Sequence, residues 1–145
     1  MRGKIRKIVK DPRIADKLMP DHFVMTTTTA NAAKVMAQME FAHQALWPDL
    51  DVTYVSVTEQ WAQMAVAGPK ARATLQKIVD GLALNDETTP YMAAREIRVL
   101  NGVPARLFRI SFSGEMAYEI GVPNRYGDAL IRAIMDAGKE FGITP

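Results

Sequence analysis

Residues 94–123 read AREIRVLNGVPARLFRISFSGEMAYEIGVP, and the way that run divides decides the fold. Asn101-Gly102 is a strong hairpin signal, because both residues tolerate the positive φ of a tight turn. Ser113-Gly114 marks a second reversal, so three consecutive strands are expected. In the last of them Met116, Tyr118, Ile120 and Val122 share one face by the two-residue strand period. Their apolar character makes that the core side. Glu119 points the other way, between Ala117 and Gly121, whose small size leaves room for something flat against the strand. A carboxylate accepts two parallel hydrogen bonds and suits a partner with two adjacent N–H donors. An arginine fork is one such partner, and Arg95, Arg98, Arg106 and Arg109 stand on nearby strands. The other is a heterocycle with a ring N–H beside an exocyclic amine, such as a pterin. On the residues alone, the internal ion pair is the simpler reading.

Upstream, residues 22–29 (HFVMTTTT) are aromatic and β-branched, which predicts a strand. The period then changes: Val35, Met39, Ala42 and Leu46 form the stripe of an amphipathic helix. Thr29 or Asn31 is expected to cap its first turn, and Pro48 to end it. Residues 51–59 and 61–68 are two further expected strands. Pro69 suits the first position of a helix that buries Leu75, Ile78 and Val79, with Gly81 as a left-handed stop. A final helix from Asn124 presents Tyr126, Leu130, Ala133, Ala137 and Phe141, with Gly138 weakening its last turn and Gly142 ending it. Strands and helices interleave while hairpins dominate, so the fold class is α+β: a mixed or antiparallel sheet with helices packed on it. Residues 82–90 are the expected hinge.

With 145 residues, 48% apolar and 23% charged, the chain can bury one sizeable core and does not read as disordered. Its net charge of +2 does not imply nucleic acid. Residues 1–20 carry seven Lys and Arg against Asp11 and Asp16, and read as a basic segment that is solvated and frayed, or disordered. No aromatic interleaves those cations, so bases would have nothing to stack on. Without cysteine there is no disulfide, thiolate metal site or thiol nucleophile. No apolar run approaches the ~20 residues of a membrane span, and no secretory leader is evident. Soluble and cytoplasmic is the expectation, without nucleic-acid or membrane partners. Phosphate-binding and nucleophile-elbow motifs are absent. His22 and His43 have no metal-ligand spacing, so His43 reads as structural, and the nine methionines read as packing.

Four stretches then carry a resemblance: residues 22–36, 58–72, 102–123 and 137–145. Together they resemble the aminomethyltransferase family typified by the glycine-cleavage T-protein, and within it the alpha subunits of heterotetrameric sarcosine oxidases. The family pattern G-E-x-[AG]-[FY]-E is matched by Gly114, Glu115, Ala117, Tyr118 and Glu119, and a helix-opening G-P by Gly68-Pro69. The resemblance implies a tetrahydrofolate-binding fold, with residues 21–145 a partial folate-binding domain. It implies that Glu119 holds the pterin edge, with Glu115 in the turn the weaker candidate. Thr28, Thr29 and Asn31 become polar folate contacts, or simply a strand end and helix cap. The resemblance implies an acidic pair near Asp11 and Pro12, in which Asp11 is the remnant and candidate catalytic residue while the member expected to assist catalysis is here replaced by Pro12.

By the same resemblance, flavin and NAD belong elsewhere in a larger assembly, and the partners are a small-molecule folate and other sarcosine oxidase subunits. The chain is expected to be a fragment or shortened relative, inactive alone, without a complete active site. The alternative is a non-catalytic binding or assembly module of the same fold. In that module Glu119 pairs with an arginine, and exposed strand edges allow self-association.

Overall fold

The computed structural model describes residues 15–19, 22–111 and 113–145. The chain divides into two compact units, Met1–Glu59 and Gln60–Pro145. The first twenty residues were expected as one basic segment; residues 1–14 lie outside the described residues, Asp11 and Pro12 among them.

In the first unit, β1 (Ala15–Met19) pairs antiparallel with β2 (His22–Met25), with a bulge between Lys17 and Met19. The strand expected over 22–29 stops at Met25 because the threonines bond locally instead. The Asn31 amide donates to the Thr28 carbonyl at 2.9 Å, and Asn31 Nδ2 donates to Thr28 Oγ1 at 3.0 Å. Short polar side chains of this kind offer the backbone an alternative to the ladder. Asn31 does sit at the cap of α1 (Ala32–Phe41), but its side chain makes no capping bond. The helix loosens into a wider turn over Ala42–Leu46 before Pro48. His43 is structural, as expected. Its Nε2 donates to the Leu50 carbonyl at 3.0 Å, which leaves Nδ1 to accept from the Tyr54 hydroxyl at 3.4 Å. Residues 51–57 are not the expected strand: they are irregular, and Val55 is 70% exposed. β-branched alternation suits a strand only when a neighbouring strand supplies its hydrogen bonds, and none pairs with this segment among the described residues.

The second unit holds the antiparallel sheet β3-β6-β5-β4, built from β3 (Trp61–Ala67), β4 (Ala94–Val99), β5 (Val103–Phe108) and β6 (Ala117–Pro123). The two turns that divide residues 94–123 are where the sequence puts them. Leu100, Asn101 and Gly102 all take positive φ, and the Asp80 carboxylate receives the amides of Asn101 and Gly102 at 3.3 and 2.8 Å. Gly114 (φ +94°) reverses the chain into β6. α2 (Ala71–Gln76) and α3 (Gly127–Gly138) cover one face of the sheet. That face supplies the core: Val66, Ile97, Val99, Leu107, Tyr118, Ile120 and Val122 pack with Leu75, Ile78, Val79, Leu130 and Ile134. The α+β expectation holds, and so does the core face of β6.

Residues 82–90 do not separate the two units. Asn85 ties the loop together through its side-chain oxygen, which accepts the amides of Glu87 and Thr88 at 2.9 and 2.8 Å, and Thr89 is buried. The division between units falls at Glu59 instead. Gly138 does more than weaken a turn: a Cβ there would meet Ile143 at 2.7 Å, so the bare backbone permits the C-terminal residues to fold back.

Candidate functional site

Antiparallel register fixes what surrounds Glu119. Ala65 lies opposite on β3 and Phe108 opposite on β5, while Gly121, two residues along, faces Gln63 and Arg106. All of these belong to the sheet face away from α2 and α3. Glu119 is half-buried, Phe108 is buried, and Ala65 and Gln63 are exposed, so the carboxylate borders an open strip along β3. Gln63 Nε2 donates to Glu119 Oε2. One amide donor leaves most of the carboxylate's four or so acceptor sites unused.

The expected arginine partner is not there. Among the described residues no cation lies within ion-pair distance of Glu119, because each of the four candidates is committed elsewhere. Arg95 Nε donates to the Thr88 carbonyl at 3.0 Å and Arg98 Nη1 to the Gly102 carbonyl at 2.8 Å. Arg109 lies 3.6 Å from Asp86 and 5.1 Å over the Tyr118 ring. Arg106 crosses Gly121 toward β3 and stacks 3.9 Å above the Trp61 ring. The floor beside Gly121 is therefore partly roofed: a Cβ on Gly121 would meet Trp61 and Gln63 at 3.6 Å. The flat opening expected on both sides of Glu119 survives only on the Ala65 side, since Ala117 is buried too.

On the core side, Tyr118 is fully buried and its hydroxyl accepts from Arg72 Nε at 3.0 Å. Arg72 also pairs with Asp86, which joins Arg109 in a two-arginine bracket around that ring. The Arg72 hydrogen bond, reinforced by its charge, holds the Asp86 carboxyl below the usual carboxylate range. A depressed folded-state pKa contributes stability above the unfolded value near ~3.9, and that contribution disappears as acid protonates the folded carboxylate. Asp86→Asn is therefore expected to lower Tm slightly at pH 7, where the effect of an exposed pair is screened. The gap from wild type should close below about pH 4. Melting curves of both proteins from acid to neutral pH check this.

Of the remaining candidates, only Glu115 belongs to the same unit as Glu119. Glu115 is exposed in the turn before β6, and its carboxyl is lowered by its own backbone amide first and by Ser113 and Ser111 after it. Thr28 and Asn31 bond to each other in the first unit, and the backbone of Thr29 opens the short turn there. Asp11 lies outside the described residues. Gln63 and Trp61 were missed by the sequence reading; only the register of β3 on β6, which no local pattern encodes, brings them to this face. Among the described residues no group of acids and histidines fits a metal ion, and no helix is long and apolar enough to cross a membrane.

Known proteins share this arrangement of sequence. The chain is 51% identical over 138 residues to the sarcosine oxidase subunit alpha of Rhizobium meliloti (strain 1021), covering 94% of this chain and 14% of that protein. It is 43% identical over 138 residues to the sarcosine oxidase subunit alpha of Corynebacterium sp. (strain P-1), covering 95% of this chain and 14% of that protein. Against the aminomethyltransferase of Thermoanaerobacter sp. (strain X514) it is 26% identical over 137 residues, covering 94% of this chain and 35% of that protein. The chain thus spans a minor part of each relative's length. The family description GCVT N-terminal domain matches residues 6–145, reaching further toward the N-terminus than the four motifs do. This chain is a member of the GCVT N-terminal domain family.

Proposed function

We propose that this chain is the tetrahydrofolate-binding portion of a sarcosine-oxidase-type alpha subunit, with Glu119 holding the pterin edge. One observation carries the reading: Glu119 is half-buried beside exposed Ala65, with an amide and, among the described residues, no cation as its partner. A carboxylate so placed has acceptor sites to spare for the ring N–H and exocyclic amine of a pterin. Membership of the GCVT family and likeness to sarcosine oxidase and aminomethyltransferase proteins support a one-carbon, folate-related role.

In the full assembly, sarcosine is oxidised on a flavin held by another subunit, and bound tetrahydrofolate accepts the one-carbon unit as glycine forms. This domain's contribution is positioning: it raises the effective concentration of the folate amine where the electrophile arrives. Residues 21–145 form the folate-binding part in this reading. Thr28, Thr29 and Asn31 serve as secondary polar contacts, Glu115 as the weaker carboxylate and Asp11 as the remnant of the acidic position. Flavin, NAD and the remaining subunits lie outside this chain, and the assembly is cytoplasmic.

Calorimetric titration with 5-formyltetrahydrofolate tests the reading. Glu119→Gln preserves size and an acceptor for Gln63, so the fold should persist while affinity falls more than about tenfold, or ~1.4 kcal/mol. Equal weak binding by both proteins would reject the assignment. The assembly-module alternative loses its arginine pair to the geometry described above. What remains for it is the pair of terminal strands, β3 and β4.

A further inference from the structure

Among the described residues, Arg106 is a half-buried cation that the fold leaves without a hydrogen-bond acceptor. It lies opposite Gly121 on β5 and opposite Glu96 on β4. Its guanidinium rests 3.9 Å above the Trp61 ring, a surface that offers a π face and no hydrogen-bond acceptor. Its Nε–H is buried without a partner, and no carboxylate among the described residues lies within ion-pair distance. Burial pushes its pKa down, opposed only by the charge of Glu96, so the desolvation is not fully offset. A buried donor left unmade costs about what a lost hydrogen bond costs, and native folds rarely tolerate one without a use.

The register supplies the use. Arg106 faces Gly121 and Phe108 faces Glu119, so Arg106 and Glu119 are diagonal neighbours on one sheet face, with Cα atoms roughly 7–8 Å apart. A hydrogen-bond-accepting carboxylate and a fork of N–H donors on one sheet face can together read a ring edge that presents donor, donor, acceptor in sequence. The 2-amino-4-oxo edge of a pterin has that order: exocyclic amine, ring N–H, oxo. Contact with the Trp61 ring holds the guanidinium in place, which limits the side-chain entropy lost when it engages a ligand.

We infer that Arg106 donates to the 4-oxo group of the ring that Glu119 grips, so that the pair selects 2-amino-4-oxo pterins over 2,4-diamino ones. The inference rests on the Glu119 assignment. A diamino ring replaces the oxo acceptor with an amine, to which the guanidinium cannot donate.

The test titrates 5-formyltetrahydrofolate and its 4-amino analogue, 5-formyltetrahydroaminopterin, into the 145-residue chain, wild type and variants. Wild type should prefer the oxo compound. Arg106→Gln should weaken the oxo compound on the order of tenfold to a hundredfold, the range for a bond to a charged group, and leave the diamino compound nearly unchanged. The preference then narrows. Arg106→Lys keeps the charge and the apolar stem but loses the planar fork, and should narrow it as well, which covers the case in which Arg106→Gln fails to fold. If Glu119→Gln weakens binding while both Arg106 variants keep the wild-type preference, the Arg106 inference falls and the Glu119 reading stands. If binding of the oxo compound is absent or indifferent to Glu119→Gln, both fall together.

Discussion

Tyr118→Ala is expected to lower the free energy of unfolding by about 3–5 kcal/mol, the cost of removing a buried aromatic ring that neighbours cannot collapse to replace. Tyr118 is fully buried near the start of β6 and packs among Ile120, Leu75 and Leu130 in the core. It also accepts from Arg72 Nε at 3.0 Å and carries Arg109 5.1 Å above its ring. Truncation therefore opens a cavity and strips both guanidinium groups of that contact. Tyr118→Phe separates the two losses: it keeps the ring and the stack and removes only the hydroxyl. That change should cost about 1 kcal/mol, because Arg72 retains Asp86 and is partly solvated. Against a total stability of ~5–15 kcal/mol, the alanine variant is near the edge of folding. Urea unfolding at pH 7 followed by tryptophan fluorescence checks both variants. A loss below about 1 kcal/mol for Tyr118→Ala would mean that the ring is not the keystone of this core.

Gly127→Ala should destabilise by about 1–2 kcal/mol, although alanine is the better helix former. A Cβ at position 127 would stand 2.7 Å from the Ala62 Cβ. Neither atom belongs to a rotating side chain, so relief requires α3 to move off β3. Overpacking of this kind costs ~1–3 kcal/mol, whereas the gain in helix propensity is at most about 1 and smaller at the first helical position. The clash wins. Ala62→Gly in the same chain removes the opposing methyl group, so the swapped pair should recover most of the loss, less ~0.5–1 kcal/mol for glycine within a strand. Such coupling between touching residues is what a double-mutant cycle measures. A neutral or stabilising Gly127→Ala would show that helix and sheet are not in close contact there.

Site and scaffold share one strand, which is why these stability variants bear on function. β6 turns Tyr118, Ile120 and Val122 into the core and Glu119 and Gly121 onto the opposite face. Packing on one face fixes the register, since a slip by one residue would reverse both. The carboxylate is held in place by the hydrophobic residues beside it.

The sequence alone determined those features that follow from neighbouring residues. Turn residues with positive φ set the hairpins of residues 94–123, the two-residue period chose the core face of β6, and the 3.6-residue period marked α3, because backbone sterics and side-chain direction are local. Local pattern also misjudged residues 51–57, since a strand exists only when another strand completes its hydrogen bonds. Tertiary structure decided what depends on register across distant segments. It joined Gln63 to Glu119 across 56 residues, sent Arg109 to Asp86, laid Arg106 on Trp61, and required Gly127 to be bare opposite Ala62. Which donor meets which acceptor is settled by packing in three dimensions, and no spacing along the chain encodes it.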